Sequence, residues 1–83
     1  MNISQSLSRL IKKAKILGLN DIDVQNSTEM LEHNEFELCL DIVLTQLYEY
    51  DIKIDEEFYD LSLVILSNLK INIKEYDYIE ELR

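Results

Sequence analysis

Apolar residues recur along most of this chain every three or four positions, the spacing of a helix face rather than the alternation of a strand. Leu7, Leu10, Ile11, Ala14 and Leu17 form the first stripe, with Ile3 in line just before it and basic residues largely opposite. Gly18 stands where a left-handed helix stop is expected, so the pattern predicts a helix from Ser4 to Leu17. After a Leu19-Asn20 turn, Asp21 and Asp23 suit the start of a second helix, where carboxylates meet unpaired amides and the positive end of the helix dipole. Ile22, Val24, Met30 and Leu31 give this helix a sparse apolar face. Gln25-Asn26-Ser27-Thr28 are weak helix formers, so it is expected to be the shortest or most irregular one, ending at His33-Asn34.

The segment from Glu35 to Tyr50 predicts the central helix. Phe36, Cys39, Leu40, Val43, Leu47 and Tyr50 make one stripe, and Leu38, Ile42 and Leu44 widen it, as in a helix surrounded by neighbours. Ile52 and Ile54 alternate with Asp51 and Lys53 in a short extended connector. Asp55 then reads as a cap, followed by Glu56 and Glu57 in the first turn and by Phe58, Leu61, Val64, Ile65 and Leu69 as a fourth helical face. The run Leu63-Val64-Ile65-Leu66 could pass for a buried strand, but its helical flanks decide against that. From Lys74 to Arg83, Tyr76, Ile79 and Leu82 share one face of a short final helix.

With no proline and one glycine, the chain has few breakers, and the expected fold is all-α: a single domain over residues 1–83, built as a compact bundle of four to five short helices. A domain this small is near the lower limit for folding on a core alone, but 47% hydrophobic residues allow it without metal or disulfide. Cys39 is the only cysteine, which excludes an intramolecular disulfide. Neither a secretory leader pattern nor a run approaching the roughly twenty apolar residues of a membrane span is present. A cytoplasmic protein that neither spans nor binds a membrane is therefore expected. In that setting the glycosylation-like triplets at Asn2 and Asn26 are coincidental.

Charge sharpens the picture. The net charge is −9, yet residues 1–18 hold Arg9, Lys12, Lys13 and Lys15 and no acid, while all 17 acids lie beyond them. An acidic body repels phosphate backbones, so direct nucleic-acid binding is not expected, whereas a basic partner is attracted and steered. Acidity for solubility alone is the plainer reading.

Material for catalysis is poor. Cys39 lies on the most apolar helix with no neighbour to activate it, and His33 is the only histidine. His33 with Glu29, Glu32 and Glu37 matches no established metal-ligand spacing, and there is no glycine-rich phosphate loop. No enzyme activity, cofactor or metal is expected.

What stands out is tyrosine set among acids, in Gln46-Leu47-Tyr48-Glu49-Tyr50-Asp51 and again in Asp55-Glu56-Glu57-Phe58-Tyr59-Asp60. Tyrosine offers large, fairly rigid contact area, and clustered carboxylates pair with a partner's Lys or Arg and speed encounter. Tyr48, Glu49, Tyr50, Asp51, Asp55, Glu56, Tyr59 and Asp60 are the expected binding residues. Alternatively, the glutamates favour a helix start and the tyrosines cover the core edge. The same logic extends more weakly to Tyr76-Asp77-Tyr78 with Glu80 and Glu81.

Three stretches carry a family resemblance: Leu10-Ile11-Lys12-Lys13-Ala14-Lys15 followed by Leu17-Gly18-Leu19, then Leu31-Glu32-His33-Asn34-Glu35, and Gln46-Leu47-Tyr48-Glu49-Tyr50-Asp51-Ile52. In them the chain resembles the MafI-like immunity proteins, small antidotes encoded beside polymorphic, contact-dependent bacterial toxins. The third stretch is the most specific. Lys53 stands where the family often has proline. The resemblance implies an inhibitor that binds a cognate toxin domain and blocks its active site or substrate approach; a monomer when unbound, forming a heterodimeric complex with a basic toxin domain, is expected. In related systems that domain is frequently a ribonuclease, some with an EndoU-type fold. A non-catalytic helical adaptor or homodimerisation module is the alternative.

Overall fold

In a computed structural model that describes residues 2–83, four α-helices are set by their ends. α1 spans Ile3–Leu17, α2 Asp21–Glu32, α3 Phe36–Glu49 and α4 Glu56–Asn68, and a 3₁₀ segment over Ile73–Leu82 follows. Among the described residues there is no strand, so the fold is all-α. Asn2, Asn20 and Asp55 accept backbone N–H bonds from the first turns of α1, α2 and α4.

All four helices stop in the same way. Gly18, Asn34, Asp51 and Lys70 each adopt positive φ just beyond a helix. The next residue's amide reaches back into the last turn: Leu19 to Ala14, Glu35 to Met30, Ile52 to Leu47 and Ile71 to Leu66, at 2.8–3.0 Å. This is the Schellman stop, and Leu19, Ile52 and Ile71 also fold an apolar side chain back onto the core. Lys70 (φ 59°) has the side chain least suited to the left-handed region. Lys70→Gly is expected to raise unfolding free energy by about 0.5–1 kcal/mol, read as a higher denaturation midpoint at unchanged denaturant slope.

Short turns make α1, α2 and α3 run antiparallel in sequence. The buried Asp23 of α2 accepts bonds from Asn20 Nδ2 (2.9 Å) and from Gln46 Nε2 of α3 (3.0 Å). Lys13 Nζ of α1 reaches Glu57 Oε1 of α4 at 2.6 Å. These two links place the α1–α2 turn and the α3–α4 connector at the same end of the bundle.

The backbones of α3 and α4 do not approach each other closely, and the 3₁₀ segment contacts both helices. Tyr76, Ile79 and Leu82 are buried there, and Ile54 N–H donates to Leu82 O at 2.8 Å, tying the connector to the segment. The face expected for a final helix is therefore correct, but the backbone is a 3₁₀ run kinked at Tyr76 (φ −130°, ψ 21°).

The core comprises Leu7, Leu10, Ile11 and Ala14 from α1, Cys39, Leu40, Val43, Leu44 and Leu47 from α3, and Phe58, Leu61, Ile65 and Leu66 from α4, together with Leu19, Ile54 and the segment's three residues. α2 departs most from its sequence reading. It is the shortest of the four α-helices, as expected, but its buried residues are Asp23 and Ser27, while Ile22 is 71% exposed. Leu38, Tyr50 and Val64, expected on buried stripes, are exposed because each stands at the flank or end of its helix. Every buried side-chain N or O has a partner among the described residues.

Burial pushes the Cys39 thiol up to about 11. The fully buried thiol is expected to resist alkylation at neutral pH and to react at once in denaturant, as read by thiol-specific mass increase. Because the folded value lies above the unfolded one, Cys39 favours the fold fully below the ordinary value of 9.0 and loses that contribution as pH rises through about 11.

Candidate interaction surface

The tyrosine–acid residues divide between the two helices that the 3₁₀ segment joins. On α3, Asp41, Thr45 and Tyr48 follow one another at helical spacing along a single edge, and the segment meets each of them. Tyr76 Oη donates to Asp41 Oδ1 at 2.8 Å, Tyr78 Oη lies 3.4 Å from Thr45 Oγ1, and Tyr48 Oη points at Glu81 Oε2 at 3.5 Å. The Tyr48 and Tyr78 rings are tilted against each other at 4.7 Å between centroids, with Tyr76 next at 5.9 Å from Tyr78. Burial first, then Asp41, raises the Tyr76 phenol well above its ordinary value. Tyr78 is raised too, chiefly by burial. Both values lie higher folded than unfolded, so this seam holds fully below pH 10 and weakens as pH climbs beyond it.

On α4, Glu56 and Tyr59 share the edge that faces the segment's last turn. The Arg83 guanidinium forks onto Glu56, with Nε–Oε2 at 2.8 Å and Nη2–Oε1 at 2.5 Å, and its third arm reaches Glu80 at 3.0 Å. Its carbon sits 4.2 Å above the Tyr59 ring, and Tyr59 Oη donates to Glu80 at 3.2 Å. The Arg83 hydrogen bonds hold the Glu56 carboxyl below the usual carboxylate range. The depressed folded value means that the fork is intact above the ordinary carboxylate range and is lost as pH falls through the folded one. Arg83→Gln is expected to speed amide hydrogen exchange at Glu80 to Leu82 while leaving the global denaturation midpoint nearly unchanged, because exposed ion pairs contribute little.

The eight residues expected to bind a partner thus have unequal freedom. Glu56 and Tyr59 are engaged by Arg83 and Glu80. Asp55 caps α4 through Phe58 N–H at 2.7 Å, and Asp51 occupies the left-handed stop of α3. Tyr48 is 44% exposed but packed against Tyr78. Glu49, Tyr50 and Asp60 are exposed, and among the described residues their side chains make no hydrogen bond or ion pair. Tyr50 is 56% exposed at the bundle end where α3 meets the connector.

The 3₁₀ segment is the part that sequence reasoning underweighted. Its signal was the apolar triplet Tyr76, Ile79 and Leu82, which had to be buried against something. Once it is buried, Asp77, Tyr78, Glu80 and Glu81 join the same surface. Residues 48–60 alone carry six carboxylates against Lys53, so the surface is negative and fixed on a rigid frame. Among the described residues no group of three or more His, Cys, Asp or Glu side chains could hold a metal ion, and no helix is long and apolar enough to cross a membrane. Comparison with family models, curated proteins and solved structures finds no match to this chain.

Proposed function

We propose that this chain is an immunity protein of the MafI-like kind, which binds a cognate toxin domain and neutralises it by covering a basic surface. The target class that best suits the chemistry is a ribonuclease, of EndoU type by family resemblance, because RNA cleavage requires a positive groove that an acidic protein can occupy in place of phosphate. One observation carries the reading: exposed Tyr50 stands beside exposed Glu49 at the end of α3, within a stretch where six carboxylates face one lysine, so an aromatic anchor and charged neighbours are both free to be covered.

Stoichiometric inhibition in the cytoplasm is the mechanism. Negative charge accelerates encounter, and the tyrosine side chains then lose water against the partner. The chain's own residues supply no nucleophile or tuned acid–base pair, which suits a protein whose work ends at binding.

The direct test is co-expression with the toxin domain encoded in the adjacent reading frame. The expected result is rescue of growth by this chain and a one-to-one complex by light scattering. Growth arrest despite stable expression of both proteins overturns the proposal. A tight homodimer that ignores the toxin domain supports the adaptor module instead.

A further inference from the structure

The acidic surface is built on α3, α4 and the 3₁₀ segment; α1 and α2 flank a separate groove whose α1 rim carries the other sign. Ser8, Ile11, Lys12 and Lys15 of α1 face Val24, Thr28 and Leu31 of α2 across a depression of about 270 Å³. A shallower extension of about 400 Å³ runs past Gln5 and Arg9. The floor is aliphatic, since Ile11 is buried and Val24 and Leu31 are half-buried. The rim is cationic: Arg9, Lys12 and Lys15 make no salt bridge among the described residues, whereas Lys13, one position round the helix, is paired with Glu57 of α4. Ile16, 84% exposed, continues the same outer face of α1.

We propose that this groove is a second docking site, for a short acidic peptide segment of another protein that carries a large aliphatic side chain. Charge complementarity selects the occupant. An aliphatic group fills the floor, and carboxylates on either side reach Lys12, Lys15 and Arg9. From Ser8 to Lys15 the groove is about 10 Å long by helix rise, which accommodates about three or four extended residues. The protein's net charge of −9 does not forbid this. The molecule measures 28 × 27 × 19 Å, and the screening length at physiological salt is about 8 Å, so the groove's own cations govern its local field.

The experiment uses the full chain and a fluorescein-labelled peptide of alternating glutamate and leucine, titrated by anisotropy at physiological salt. Comparison peptides are all-glutamate and alternating lysine and leucine. The expected result is saturable binding of the first peptide alone, weakened about tenfold or more by Lys12→Glu with Lys15→Glu, as reversal of two rim charges implies. Thr28→Trp, which fills the groove without changing charge, is expected to weaken it similarly. Lys53→Glu with Lys70→Glu, the same charge change away from the groove, is expected to leave it within about twofold. Circular dichroism of each variant confirms folding, and the Thr28 variant stands as the test if the lysine variant fails to fold. Equal binding of the all-glutamate peptide, equal loss in the Lys53 and Lys70 variant, or no binding at all overturns the proposal. So does stronger attachment to phosphatidylserine vesicles than to the peptide, or self-association that the Lys12 and Lys15 changes abolish. The outcome is independent of toxin rescue, which reads the acidic surface.

Discussion

Deleting residues 73–83 is expected to abolish cooperative unfolding, and Leu82→Ala alone is expected to lower stability by about 2–5 kcal/mol, as read by denaturant melts. The reason is geometric. The backbones of α3 and α4 do not approach closely, and Tyr76, Ile79 and Leu82 are buried in a segment that contacts both, so removing these residues opens the core to water along two helices at once. For a chain of 83 residues, near the size at which a single core barely suffices, a loss of that size is a large part of the whole. A sharp, single melting transition in the truncated chain at its original midpoint would show that the helices close without the segment. By contrast, Arg83→Gln releases the polar latch over the segment and leaves the buried triplet in place.

The second large effect concerns the partner. Tyr50→Ala is expected to weaken toxin binding by at least about 2 kcal/mol, some thirtyfold, through a slower-forming or faster-decaying complex without loss of fold. Glu49→Lys with Asp60→Lys is expected to weaken it by a further factor of about ten and to flatten the salt dependence of association. These three residues are chosen because their exposed side chains make no hydrogen bond or ion pair among the described residues. Charge reversal at Asp51 or Asp55 would confuse binding with stability, since one ends α3 in the left-handed region and the other caps α4. Calorimetry against the toxin domain, with a denaturation midpoint for each variant, checks the distinction. Unchanged affinity in the Tyr50 variant would move the contact surface elsewhere on the bundle.

Much of this architecture is legible in the order of residues. The stripe through Leu7, Leu10, Ile11 and Ala14 and the caps at Gly18 and Asp55 have local causes, so spacing and cap chemistry reveal them. The end of α2 at His33-Asn34 is legible too, but the left-handed stops after α3 and α4 are harder to see, because Asp51 and Lys70 reach positive φ without being glycine. Their sign is the apolar residue that follows Asp51 and Lys70, Ile52 and Ile71. The inner face of α2 was misread for another reason: Asp23 is tolerated inside because Asn20 and Gln46 satisfy it, and Gln46 is 23 positions away. No local pattern announces such a partner. The tyrosine–acid surface shows the same limit. Its composition is evident at once, but which members are free depends on Arg83 and Glu80, brought alongside from more than twenty positions away.

Because residues 73–82 contact both α3 and α4, the helices made first have no complete partner until those residues leave the ribosome. At about 5–20 residues per second, the delay between α4 and the end of the segment is of the order of a second. During that interval an aliphatic cleft lies open to chaperones and to sticky neighbours. The closed core, and any surface that depends on it, therefore belongs to completed chains and not to nascent ones.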